Sequence, residues 1–131
     1  ALPLGKGEIR RRGEKTAVLS FGSMLTPCMD AGEKLNTTVA NMRFVKPLDE
    51  NLIRELAQGH THLVTVEENT ILGAEGSGVL EVLEKLGLQK KVLQLGLPDR
   101  FVDHGDPAKL LTECGLDAEG IRQSIAKFIA E

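Results

Sequence analysis

The stretch VTVEENTILGAEGSGVLEVL, Val64–Leu83, decides how the chain is read. An apolar run ends in two adjacent acids and an asparagine, Glu67, Glu68 and Asn69. A glycine-rich bend and a segment with apolar residues at helical spacing follow. This order predicts a strand turning into a helix. The turn then lies at the carboxyl end of a strand, where open α/β sheets place ligands. Successive strand residues face opposite ways, so Glu67 and Glu68 are expected to diverge. That argues against a paired-carboxylate acid/base device. One acid is expected to face a site or a domain interface, and the other to bond backbone N–H groups of the bend. Asn69 is a natural turn residue.

The bend itself, GAEGSG at Gly73–Gly78, opens the helix. Helix N-termini carry free N–H groups and partial positive charge, and so attract anions. Here Glu67, Glu68 and Glu75 already supply negative charge, and the spacing is not GxGxxG. The glycines read as a tight bend with close packing rather than a phosphate cradle.

Outward from this unit the chain alternates strands with helices. TAVLSFG, Thr16–Gly22, is a near-continuous apolar run and predicts a central strand covered on both faces. Ser23–Asn36 carries Met24, Cys28, Ala31 and Leu35 at helical spacing, with Pro27 tolerable in a first turn. Thr37–Met42 predicts a second strand. Asp49 is placed to cap a helix with Leu52, Ile53 and Leu56 on one stripe, ending at Gly59. HLVTVEE is a third strand. Ser77–Leu86 is a helix turning Val79, Leu80, Val82, Leu83 and Leu86 inward, stopped by Gly87. Lys91–Gly96 is a fourth strand. Two helices close the chain, one from Asp106-Pro107 to Gly115, the other capped by Asp117 with Ile121, Ile125, Phe128 and Ile129 on one face. EIRRRGE, Glu8–Glu14, reads as a polar edge strand and turn. Such alternation implies right-handed βαβ crossovers and a mostly parallel sheet.

The 131 residues suit one domain, and 41% hydrophobic with 27% charged residues is an ordinary globular composition. A net charge of −3 gives no reason to expect nucleic acid or an anionic membrane as a partner. Arg10, Arg11 and Arg12 read as a solvated strand face. Cys28 and Cys114 belong to no CxxC and sit on apolar helical faces, which fits buried free thiols in a reducing cytoplasm. No apolar run approaches the length of a membrane span, and no signal pattern opens the chain. The start on ALPLGKGE, without Met, is expected of a piece of a longer protein, with residues 1–14 as linker and edge strand. GKG at Gly5–Gly7 lacks the spacing of a P-loop. His60 and His62 are expected on one strand face, without a third metal ligand at suitable spacing. Arg100 and His104 lie in the charged loop LPDRFVDHGDP, either a contact loop or hydrogen bonding around a helix cap.

Three blocks carry a resemblance: MRFVKPLD at Met42–Asp49, VTVEEN with GSGVLEVL, and LGLPDRFVDHG at Leu95–Gly105. Together they resemble the C-terminal domain of the 1-deoxy-D-xylulose-5-phosphate synthases, within the transketolase-like thiamine-diphosphate enzymes. The opening GKGEIRRRGEKTAVLSFGS and the late AKLLTECGLDAEGI are similar too, so the likeness spans essentially the whole chain. One departure lies in the bend, where the family usually has Gly-Gly-Ala-Gly-Ser-Gly and this chain has Gly73-Ala74-Glu75-Gly76-Ser77-Gly78. The resemblance implies an α/β fold of three layers, α/β/α, with a mostly parallel five-stranded sheet and one antiparallel strand. It implies a parent transferase condensing pyruvate with glyceraldehyde 3-phosphate, with loss of carbon dioxide, in isoprenoid, thiamine and pyridoxal synthesis. The parent uses thiamine diphosphate and Mg²⁺, acts as a cytoplasmic homodimer, and holds its cofactor motif and activating glutamate in other domains. No catalytic, cofactor or metal residue therefore carries over to this chain. Its partners are the other domains of the same enzyme, and Glu67, Glu68, Asn69, Arg100 and His104 remain interface or pocket candidates. The alternatives are a small-molecule regulatory module or the carrier-docking module of a related 2-oxo-acid dehydrogenase.

Overall fold

The computed structural model describes residues 6–43, 48–70, 75–97 and 107–131. Their strands are β1 (Glu8–Arg11), β2 (Thr16–Ser20), β3 (Thr38–Asn41), β4 (His62–Thr70) and β5 (Lys91–Leu97). Their α-helices are α1 (Leu25–Leu35), α2 (Glu50–Gly59), α3 (Glu75–Lys85), α4 (Pro107–Glu113) and α5 (Ala118–Ala130). The sheet runs β1-β3-β2-β4-β5, parallel except for β1, which pairs antiparallel with β3. The five strands, the single antiparallel edge and the helices on both faces match the expected fold.

β2 shows why the apolar runs fold this way. Every residue of Thr16–Ser20 is buried. Ala17 and Leu19 point into one core, with Ile53, Leu56 and Ala57 of α2 and Val79, Val82 and Leu83 of α3. Val18 points into the other, with Cys28 and Ala31 of α1 and Ile121 and Ile125 of α5. A strand buried on both faces needs no polar alternation, which is why it reads as continuous.

The helix ends follow the local chemistry. Asp49 is 7% exposed; one carboxylate oxygen accepts from Leu52 N at 3.1 Å, capping α2, and the other accepts from Gly7 N at 3.0 Å. Asp117 caps α5 by accepting from Gly120 N at 2.9 Å. Gly87 and Gly115, at φ +70° and +73°, provide the left-handed stops after α3 and α4. Pro27 is the third residue of α1, where its missing N–H is not needed. Gly59 does end α2, without a positive φ, and His60 follows in extended backbone.

Several expectations need correction. Leu80 is 38% exposed and turns out of the core, because it lies about 100° around the helix from Val79. Cys114 is only half-buried. Arg11 is no solvated residue: its guanidinium donates to Gly32 O at 3.0 Å and to Thr37 O, tying β1 to the end of α1. Arg10 and Arg12 do face solvent, beside Glu8 at 3.5 Å and Glu55 at 3.7 Å. His60 and His62 do not share a strand face. His60 follows α2, donating Nδ1–H to Leu56 O at 2.7 Å, while its Nε2 lies 2.7 Å from Thr38 Oγ1. His62 opens β4, its ring edge-to-face with Phe128.

Candidate functional site

The sheet order brings the site into view. From β2 the chain crosses through α1 to β3 on one side. From β4 it crosses through α3 to β5 on the other side, over the opposite face. The carboxyl ends of β2 and β4 are neighbours, so the crevice between them is the sheet's topological switch point. Phe21 N donates to Val66 O at 2.9 Å across this junction, and Met42 N to Ser20 O at 2.8 Å.

Glu67 lies at this edge. Val64 and Val66 enter the core under α1 and α5, so alternation turns Thr65 and Glu67 to the face covered by α3. Glu67 is 2% exposed, and its Oε1 accepts from Gly76 N, near the start of α3, at 3.3 Å. The carboxylate therefore meets free N–H groups and the positive end of the helix. This is the acid that bonds the bend. Glu68 is half-buried. Asn69 belongs to β4, with its side chain outside the described part, and a register irregularity separates Val66 from Thr70 in the β4–β5 pairing. Arg100 and His104 lie outside the described residues.

Two residues here, Thr65 and Gln94, escaped the sequence reading. A side-chain carbon on Gly76 would lie 2.7 Å from Thr65 Oγ1, 3.0 Å from Gln94 Oε1 and 3.4 Å from Glu67 Oε1. A polar patch thus lies beneath the start of α3, and Gly76 is the residue that fits over it. Thr65 Oγ1 and Gln94 Oε1 are buried without a hydrogen-bond partner among the described residues. The signal was the alternation Thr65, Glu67 between valines; Gln94 joins only through the pairing of β4 with β5. Gly78 serves another contact: a carbon added there would meet Leu48 Cδ1 at 2.8 Å. Leu48 and Gly78, distant in sequence, thus pack against one another.

A diphosphate–Mg²⁺ site needs oxygen ligands free to coordinate. Glu67 Oε1 accepts from Gly76 N, and no group of three His, Cys, Asp or Glu that could hold a metal ion occurs among the described residues. Among the described residues, no helix is long and apolar enough to cross a membrane.

Residues 5–121 match the family model "Transketolase, C-terminal domain". The chain is 63% identical over 128 residues to the 1-deoxy-D-xylulose-5-phosphate synthase of Nitrosospira multiformis, with 97% of this chain and 21% of the relative covered. It is 61% identical over 124 residues to the synthase of Nitrosomonas europaea, covering 95% and 20%. The chain thus spans about a fifth of the length of these relatives. Among solved structures, a split-gene transketolase described as an inactive tetramer superposes with a TM-score of 0.89 at 28% identity, covering 98% of this chain and 44% of that one. The transketolase of Campylobacter jejuni has the same fold, with a TM-score of 0.66 at 13% identity, covering 94% and 18%. With its model matched over nearly the whole chain, and with the sheet order and switch point described above, this chain belongs to the family of transketolase C-terminal domains.

Proposed function

We propose that this chain is the non-catalytic C-terminal domain of a 1-deoxy-D-xylulose-5-phosphate synthase. The observation that carries the reading is the commitment of Glu67. The buried acid at the sheet's ligand edge accepts from Gly76 N at the start of α3, which supports a structural role for it. Identity of about 60% to named synthases, over nearly all of the chain and a fifth of their length, supports the parent activity. That activity joins pyruvate to glyceraldehyde 3-phosphate with loss of carbon dioxide. Thiamine diphosphate and Mg²⁺ are held by the other domains, and the cofactor carries the carbanion chemistry.

On this reading residues 1–131 are one domain, with residues 1–14 bringing the chain from a preceding domain into β1. The carboxyl edge, with Glu68, Asn69, Arg100 and His104, meets the rest of a cytoplasmic homodimeric enzyme. The carrier-docking and regulatory alternatives of a 2-oxo-acid dehydrogenase are not favoured, since the relatives bear the synthase name.

Co-expression tests this. The Nitrosospira multiformis synthase, cut before its matching segment, is produced with and without this chain. The expected result is a stable complex with restored synthase turnover, and no turnover by this chain alone. Failure to associate, or turnover by the chain alone, overturns the proposal.

A further inference from the structure

The opposite edge of the sheet holds a feature that the synthase reading leaves unused. Lys15 precedes β2, His62 opens β4 and Lys91 opens β5, and the parallel register sets these strand starts side by side. With Thr61, Lys90 and Ile129 they line an open cavity of about 770 Å³. That volume lies within the range of small-molecule sites, roughly 300–1,000 Å³.

The charge is one-sided. Every charged side chain lining the cavity is a lysine, in a chain whose net charge is −3. The ion pairs of the described residues involve Arg10, Arg12, Lys85 and Arg122, and none involves Lys15, Lys90 or Lys91. Three lysines lining one hollow give it a positive field, which attracts an anion.

The backbone is also built to hold this arrangement. Lys15 adopts φ +60°, an unusual conformation for a residue with a side chain. Its carbonyl accepts from Thr61 N at 2.7 Å, His62 N at 3.1 Å and Thr61 Oγ1 at 3.2 Å. A hydroxyl has one proton to give, so Thr61 must accept from His62 Nδ1–H, 2.8 Å away. Lys90 Nζ donates to His60 O at 3.0 Å, which ties Lys90 to the segment between α2 and β4. Ile129 supplies an apolar wall.

We propose that this cavity at the amino-terminal edge of the sheet binds a small phosphate-bearing anion. Lysines suit phosphate as point charges, and the cavity has room for an organic group beside the phosphate.

The test is amide chemical-shift titration of the 131-residue chain with inorganic phosphate, pyrophosphate and glycerol 3-phosphate in separate arms. Saturable shifts centred on residues 15, 61–62 and 89–91, weakening with added salt, are expected. Pyrophosphate should bind more tightly than phosphate. Tighter binding of glycerol 3-phosphate than of phosphate supports a phosphorylated metabolite as the ligand; equal binding supports phosphate itself. Lys91→Gln removes an exposed charge, and Lys15→Asn keeps a residue type that tolerates positive φ. Each should weaken pyrophosphate roughly fivefold, the worth of one charge at about 4 Å in water. Unchanged thermal midpoints would show that both variants fold. Shifts scattered over all surface lysines, shifts centred on the start of α3, or affinity unchanged in both folded variants would overturn the proposal.

Discussion

Glu67 accepts a hydrogen bond from Gly76 N at 3.3 Å, joining the end of β4 to the start of α3. The acid is 2% exposed, so its loss leaves a buried donor without this acceptor. Glu67→Ala should cost about 1–3 kcal/mol in denaturant unfolding. Glu67→Gln keeps an acceptor oxygen and should cost less. Equal stability of all three proteins would show that the contact does not hold the bend.

Gly76 and Gly59 should respond oppositely to alanine. At Gly76 the new carbon meets Thr65 Oγ1 at 2.7 Å, so Gly76→Ala should destabilise by about 1–3 kcal/mol through overpacking. At Gly59 nothing lies within 4 Å and φ is not positive, so Gly59→Ala should be neutral or stabilise by up to about 1 kcal/mol. Thermal melts of the two variants check the contrast.

The two cysteines should differ in reactivity. Burial against apolar neighbours pushes the Cys28 thiol up to about 12 from 9.0, leaving almost no thiolate near neutral pH. Cys114 is half-buried. A disulfide reagent at mildly alkaline pH should label Cys114 in the folded chain and Cys28 only on unfolding. The raised value means that the folded chain keeps its proton longer than the unfolded chain. Stability tied to Cys28 should therefore fall as pH rises above 9.0.

Glu119 and Arg122 pair within the first turns of α5, with Arg122 Nε 3.0 Å from Glu119 Oε2. The hydrogen bond from Arg122 holds the Glu119 carboxyl at about 2, below its ordinary 4.5. The lowered value favours the folded state above the ordinary carboxylate range, and the benefit fades as pH falls towards 2. Glu119 is exposed, so the readout is its own titration. Carboxyl NMR should give a depressed midpoint that rises towards the ordinary range in Arg122→Gln.

The elements were legible where local rules decide them. Asp49 and Asp117 sit where a helix start needs a side-chain acceptor, and Gly87 and Gly115 where the chain must turn left-handed. The apolar run of β2 announced a central strand. Contacts made only in three dimensions were not legible. Gln94 joins Thr65 and Glu67 through sheet pairing, and Lys15 joins Lys91 because their strands start at the same edge. His60 was misread because His-Thr-His resembles the start of a strand, whereas Leu56 O draws the imidazole back onto α2. Alternation separated Glu67 from Glu68, but could not show which of the two would face α3.

The central claim is that this domain supports a thiamine-diphosphate enzyme without holding its cofactor. Calorimetric titration of the 131-residue chain with thiamine diphosphate and Mg²⁺ tests it most directly. No Mg²⁺-dependent binding is expected; weak heat independent of Mg²⁺ and weakened in Lys91→Gln would belong to the lysine cavity. Mg²⁺-dependent binding in the micromolar range would show that the domain holds the cofactor itself.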